Sequence, residues 1–377
     1  MPLPDLVVFL GGMGGSRAED MLGEALAADA LDTLEKVIGS GAVKRSFLIT
    51  DRPDMAERCP SDVMVEVSVS SFHFGERLAD VIRRHGLERL FCLGAGAAPF
   101  MTGEDFFSAG HYLSMAWNCV LTNNFHSSDV TGFVPAEALL TIEPPERDNM
   151  LPRLLRDQAG LVVEELTRNA ATQFNIDTPS DLAILKLSGR AGPQLTRYLD
   201  GVDIDLSRYE ACLPLLLSSD AEVVLAGRVG SHAWQYVEKE AACRTRLYSE
   251  ERGMGAAGRE HSGQARSLLG YHLQAVGSAR FFEELAEVAD AAFIDSRVAL
   301  AHMGTRPSRE DRFLSDLGLA EGISDPFLRE FTESAIAAPI PVLLGGHSLV
   351  SGGLMALVEA AWDRQPEEVR SRRASLK

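Results

Sequence analysis

The chain has 377 residues, 46% of them hydrophobic and 24% charged. That is longer than one hydrophobic core usually organises (roughly 250–300 residues), and the composition is that of a folded globular protein with little room for disorder. Its formal net charge is -18, from 54 acidic against 36 basic side chains, so its mean field counts against nucleic-acid or anionic-membrane binding but leaves room for a small anion at a local nest. The five cysteines are scattered without a C-x-x-C pair, and the N-terminus carries neither a basic segment nor an apolar run of membrane length. We therefore expect free thiols in a reducing compartment and a cytoplasmic protein that does not enter the membrane.

Through the first half, apolar runs alternate with helical spacing, the pattern of a sheet with crossover helices. Residues 6–10 read as a buried strand, 18–38 as one or two helices, and 46–50 and 62–69 as further strands. Residues 74–85 predict a helix with Leu78, Val81 and Ile82 on one face. The strand at 90–93 runs into Gly94-Ala95-Gly96-Ala97-Ala98-Pro99, a sequence that only a turn tolerates. A helix over about 104–111, a loop over 123–129, a strand over 130–134 and a helix over 148–159 follow, the last with Asp148 or Asn149 as N-cap. The pattern loosens over 188–209, so a domain boundary is expected there, dividing residues 1–200 from 201–377.

In the second half, 222–227 reads as a strand leading into a glycine turn and a helix with Ser231 as N-cap, a second candidate anion turn. Residues 264–290 are its clearest helix, 341–344 a strand and 352–362 the last helix. Asp295 and Arg297 interrupt an apolar run, where burial would force each into an ion pair. Residues 250–261 suit a mobile, anion-receptive loop or a plain linker equally, and His347-Ser348 lacks the G-x-S-x-G context of a hydrolase. The expected fold class is α/β: an N-terminal three-layer α/β/α domain with a mixed, mostly parallel sheet, plus a C-terminal α/β or mainly helical domain.

The chemistry concentrates at Gly11-Gly12-Met13-Gly14-Gly15-Ser16-Arg17, between the first strand and the first helix. Backbone N–H groups, a helix N-terminus and a guanidinium converge there, an arrangement that binds phosphate; a glycine turn kept for packing alone is the other reading. The spacing is neither G-x-G-x-x-G, as a nicotinamide oxidoreductase needs, nor a P-loop. It is similar to the G-G-x-G-[ST]-R signature of the nucleotidyltransferases of the glycosyltransferase-A type. These include the molybdenum cofactor guanylyl- and cytidylyltransferases and the phospholactate guanylyltransferase. Residues 90–105 resemble that family's central strand and turn. Phe174-Asn175-Ile176-Asp177-Thr178-Pro179-Ser180-Asp181-Leu182 resembles its closing N-[IV]-[DN]-T-P-x-D-L motif, with the Thr-Pro step capping a helix. The ordered trio spans about residues 5–187.

The resemblance implies an NTP whose phosphates contact Gly11, Gly12, Gly14, Gly15, Ser16 and Arg17, with Gly94 and Gly96 also touching the nucleotide; Asn123, from the Asn-Asn loop, reads as a base or ribose contact or as a plain turn residue. It implies Mg²⁺ or Mn²⁺ at the α-phosphate, a small phosphorylated acceptor and release of pyrophosphate. Two departures stand out: no lysine follows the loop before Lys36, and no acid precedes Pro99 in the central turn. Asp177 and Asp129 are then the candidate metal ligands, with Arg17 and Asp177 the candidate catalytic residues; Asp177 serves equally as a turn or capping residue, and Asp129 reads first as a plain turn acid. A degenerate nucleotide-binding sensor or assembly protein is the alternative. The second half resembles no family, and acceptor specificity, a lid or a homo-oligomer contact are its expected roles.

Overall fold

In the computed structural model, which describes residues 2–68 and 72–370, the chain forms two compact units. The first comprises the residues up to Met13, Gly23–Asn175 and Ala191–Tyr198; the second comprises Gly14–Leu22, Ile176–Arg190 and the chain from Leu199 onward.

The first unit is built on seven strands, β1 (Asp5–Leu10), β2 (Ser46–Thr50), β3 (Val63–Val67), β4 (Leu90–Gly94), β5 (Cys119–Thr122), β6 (Val130–Val134) and β7 (Val162–Glu165). They lie in the order β3-β2-β1-β4-β6-β5-β7. The first four pair in parallel, β6 runs antiparallel to both neighbours, and β5 and β7 are parallel. β1, β2 and β4 are apolar at nearly every position because helices cover both faces of the sheet. On one face Val7, Phe47, Ile49 and Cys92 join Leu78, Ile82 and Leu155 in one core, beneath the helices Phe74–His85 and Leu151–Ala159. On the other, Phe91 meets Phe106 of the helix Gly103–Met115 with ring centroids 6.0 Å apart. Residues 18–38 lie in one continuous helix, Arg17–Ser40.

Two expectations need correction here. β5 and β7, four residues each, are too short to show periodicity and were not expected. Neither Asp148 nor Asn149 caps the following helix: a 3₁₀ turn, Asp148–Met150, intervenes, Met150 takes the N-cap position, and Asp148 Oδ1 accepts the Asn149 N–H at 2.9 Å.

The second unit holds four parallel strands, β8 (Glu222–Gly227), β9 (Arg244–Ser249), β10 (Ala291–Asp295) and β11 (Val342–Gly345), in the order β11-β10-β8-β9. It is therefore α/β rather than mainly helical. Val224, Ala292, Ile294 and Leu344 pack with Phe282 and Phe331 in its core. The helix expected over 264–290 is two, Leu268–Val276 and Ser278–Val288, parted by Gly277 at φ 79°. β9 escaped notice because it is an edge strand, Arg-Thr-Arg-Leu-Tyr-Ser, with little of it buried. Gly230, not Ser231, is the N-cap of the helix Ser231–Glu240, which has no side-chain cap.

All five cysteines are unbridged; Cys92, Cys119 and Cys212 are buried. No helix among the described residues is long and apolar enough to cross a membrane.

The first unit's packing has a sharp test at Gly110, in the middle of the helix Gly103–Met115. A Cβ there would overlap the backbone carbonyl of Ala42, which cannot move aside like a side-chain end. Gly110→Ala is expected to cost about 1–3 kcal/mol, the usual range for overpacking. Gly103→Ala, whose Cβ would find its nearest atom at 3.6 Å, should be close to neutral. Urea denaturation of the two variants reads the difference, and equal midpoints would contradict the packing.

Candidate functional site

Parallel pairing sets Leu10 level with Thr50 and Phe9 level with Gly94. The residues that follow β1, β2 and β4 therefore emerge along one edge of the sheet, the place where open α/β sheets receive their ligands. A cavity of about 540 Å³ opens there, its lining including Phe9, Gly11, Gly12, Asp51, Phe74, Gly94 and Asp148. Sites for small molecules run to roughly 300–1,000 Å³. Its apolar wall is largely aromatic: Phe9 lies 5.8 Å from Phe72 and 5.1 Å from Phe74, ring centre to ring centre. Faces of this kind stack against planar rings. The polar part of the lining comprises Thr50, Asp51, Ser68, Arg77, Glu146, Arg147 and Asp148.

Asp51 fixes how the glycine loop leaves β1. Its Oδ2 accepts the Gly12 N–H at 3.0 Å, and its Oδ1 lies 2.8 Å from where a Cβ on Gly11 would stand. The loop then passes through Gly12, Gly14 and Gly15 at φ 77°, 136° and 115°, a path that side chains resist. Arg17 opens the long helix exposed, and its guanidinium makes no hydrogen bond or ion pair among the described residues. Within the second unit, the Ser16 hydroxyl and the Ala18 N–H both donate to the Glu310 carboxylate, the amide at 3.2 Å. Arg309 pairs with Glu19 at 3.3 Å. An internal carboxylate thus lies on the helix N-terminus, a position that attracts anions.

The turn after β4 splits the expected pair of glycines. Gly94 lines the cavity, whereas the Gly96 N–H donates to Asp29 Oδ2 at 3.1 Å, inside the protein. Burial pushes the Asp29 carboxyl up to about 7, against the pull of Lys36. Lys36 donates to the Pro99 carbonyl at 3.0 Å, so this lysine is committed to holding the turn. Asn123 is buried and spent: its Nδ2 donates to the Thr172 carbonyl at 2.8 Å, and its Oδ1 accepts the N–H groups of Asp129 and Val130, each at 3.1 Å. It knits its own loop and is not in the cavity lining.

The two candidate metal ligands lie in different units and different settings. Asp129 is half-buried and accepts the Asn175 amide at 2.5 Å. Asp177, in the second unit, is solvent-accessible; the protein around it pushes its carboxyl pKa up, opposed by the Arg228 and Arg297 charges. Guanidinium charges favour an anion beside them and repel a cation. Among the described residues no group of three or more His, Cys, Asp or Glu side chains gathers to hold a metal ion. The second acid of the closing motif, Asp181, is a cap: its Oδ2 accepts the N–H of Thr178 at 2.8 Å and of Asp177 at 3.0 Å, at the head of the helix Pro179–Ser188.

Asp51, Phe72, Phe74 and Arg77 line the cavity without having been singled out in the sequence, whereas Arg147 and Asp148 belong to the Arg-Asp-Asn triplet whose lesser reading is substrate contact. Asp51 had a signal: it follows the last residue of β2 directly, and in a parallel sheet that places it beside the residue following β1. The others reach the cavity from loops and a helix start, where no periodicity marks them.

No protein-family model matches the chain, and neither does any curated protein. Among solved structures, the chain is similar to one described as a cytidylyltransferase from Leptospira borgpetersenii serovar Hardjo-bovis (strain JB197). The two share 17% identity at a TM-score of 0.39, over 52% of this chain and 92% of that one.

Asp29 makes the turn pH-sensitive. Its folded pKa of about 7 exceeds the unfolded value near 3.9, so its stabilising contribution is full below about 4 and falls, by up to about 1.4 kcal/mol per pH unit, as pH rises towards the folded value. Asp29→Asn should flatten the fall in unfolding free energy between pH 5 and pH 8. An unchanged slope in denaturant titrations at the two pH values would contradict this setting for Asp29.

Proposed function

We propose that the chain is a nucleotidyltransferase of the cytoplasm. It takes an NTP with the base in the aromatic cavity and the phosphates along the glycine loop, passes the nucleoside monophosphate to a small phosphorylated metabolite or cofactor precursor, and releases pyrophosphate. The observation that carries this reading is the cavity at the carboxyl ends of β1, β2 and β4, in whose lining Gly11 and Gly12 begin the loop. An aromatic slot whose lining runs into the first glycines of the loop suits an apolar base joined to an anionic tail. Arg147 at the cavity and Arg17 at the end of the loop are the cations for that tail. In this reading residues 1–200 handle the nucleotide, and 201–377 serve the acceptor, a lid or a contact between copies. The work of the protein's own groups is to bind and orient: glycine amides and arginines hold the phosphates for in-line displacement, and the aromatic wall excludes water from the base.

A second reading has its own support. Among the described residues no group of three or more His, Cys, Asp or Glu side chains gathers to hold a metal ion, and Glu310 engages the donors at the helix N-terminus. A protein that binds nucleotide without turning it over, as a sensor or assembly partner, is consistent with both.

Pyrophosphate release separates the two readings. With each NTP, Mg²⁺ and a panel of small phosphorylated acceptors, the transferase releases pyrophosphate with at least one pair. Release with none, alongside a nucleotide-dependent rise in Tm that needs no Mg²⁺, favours the binding protein. Under either reading, Gly11→Ala displaces the Asp51 carboxylate from the Gly12 amide and should weaken the nucleotide-dependent rise in Tm; a full rise in that variant would remove the glycine loop from the site. Glu310→Gln weakens the internal competitor for Ser16 and Ala18 and should tighten NTP binding several-fold by titration calorimetry. Weaker binding would mean that Glu310 assists the nucleotide.

A further inference from the structure

The helix Gly103–Met115 buries one side in the first unit through Phe106, Ala109, Gly110 and Leu113. On such a helix the opposite side is ordinarily charged. Here it carries Phe107, Tyr112 and Met115, which are 49%, 38% and 54% exposed, and the helix contains no lysine or arginine. Phe107 and His111, one turn apart, stack with ring centroids 6.0 Å apart and planes within 3°. Two neighbours extend this face. The Cys119 thiol of β5 donates to the Tyr112 hydroxyl at 3.7 Å, and Val162 of β7 stands level with Cys119. Val162, 58% exposed, therefore lies on the same side of the sheet as Tyr112. Trp117, 85% exposed, follows directly after the helix.

Trp117 is held out by a fixed turn. Asn118 takes φ 57°, its Nδ2 donates to the Gly160 carbonyl at 3.3 Å, and its own carbonyl accepts the Val162 N–H at 3.1 Å. An aromatic group presented in this way loses little freedom when it is covered, and such groups anchor interfaces. The five apolar residues together expose about 600 Å², taking about 150–250 Å² for each large side chain. That is the upper end of the largest apolar patch on a typical monomer, about 300–600 Å². It is also most of the roughly 800 Å² per partner that a stable interface covers.

The two ends of the face differ in charge. Glu104 and Asp105 open the helix, and Arg89 closes it, its Nη1 donating to the Leu113 and Ala116 carbonyls at 2.7 and 2.5 Å. Two of these helices packed antiparallel about a two-fold axis set the acidic end of each against the cationic end of the other. The neighbouring edge strand does not lend itself to the same pairing: β7 exposes Glu164 and Glu165, and joining it to its own copy would oppose like charges. We propose that the outer face of the helix Gly103–Met115, with Trp117 and Val162, is the interface of a two-fold homodimer, its occupant a second copy of this chain. The contact between copies then falls in the first unit rather than the second, and it does not rest on the nucleotide reading.

Sedimentation velocity on the full chain tests it. The wild-type protein is a dimer at about 10 µM, and its tryptophan emission moves to shorter wavelength as dilution is reversed through the monomer–dimer transition. Trp117→Asp and Phe107→Asp each weaken the dimer at least about tenfold, which corresponds to about 1.4 kcal/mol. Their circular dichroism stays that of the wild type, because both side chains are exposed. Trp117→Phe keeps the dimer and loses the emission shift. Leu268→Asp, at an exposed leucine of the second unit, leaves the dimer unchanged. A monomer at every concentration, which would leave this face to a different protein, overturns the proposal. So does an undiminished dimer in the two aspartate variants, an emission shift that persists in Trp117→Phe, or a dimer lost in Leu268→Asp.

Discussion

The candidate site depends on one hydrogen bond, from the Gly12 amide to the Asp51 carboxylate. β1 and β2 pair in register to their last residues, so the first residues beyond each strand lie side by side. A carboxylate at the end of β2 can then fix the direction in which the chain leaves β1. Because Asp51 Oδ1 lies 2.8 Å from where a Cβ of residue 11 would be, any side chain there would push the carboxylate off the Gly12 amide. Because the loop then turns through three positive φ values, the glycines must continue. The run Gly-Gly-x-Gly-Gly is in this sense the consequence of a strand register and a carboxylate as much as the mark of a ligand.

The same geometric logic holds in each unit taken by itself. Parallel strands gather their carboxyl ends, and the polar residues that follow them, along one edge, while the helices that connect them cover the faces. In the first unit that edge bears an aromatic cavity; in the second it bears Arg228 and Arg297, each neutralised by a buried aspartate. A chain whose formal net charge is -18 still keeps the Arg17 guanidinium without a hydrogen bond or ion pair among the described residues, at a helix start. Such local fields act on small anions at short range, where the mean charge of the protein is screened.

Much of this was legible in the sequence because it follows from period and punctuation. The apolar runs of β1, β2, β4, β6 and β8, the helix Phe74–His85 and the turn at Gly94 all declare themselves through burial on both faces or through residues that only a turn accepts. The pairing forced on Asp295 and Arg297 was legible too, since a charge inside an apolar run has few alternatives. What stayed hidden was long-range. Nothing in the sequence announces that Asn123 is consumed between its own loop and Thr172, that Lys36 holds Pro99, or that Glu310 reaches Ser16 across 294 positions. Motif reading assigned Asn123 and Asp177 by position along the chain; their roles are set by the neighbours that folding brings to them. The short strands β5 and β7 and the edge strand β9 were missed because they lack the burial that makes a strand visible.

The central claim is that the cavity outside β1, β2 and β4 holds the base of a nucleotide. A crystal structure of the protein soaked with an NTP and Mn²⁺ tests it most directly. The account predicts density for the base against Phe9 and Phe74, with the phosphates leaving past Gly11 and Gly12. Density for the nucleotide at any other place, with the aromatic cavity bare, would contradict it.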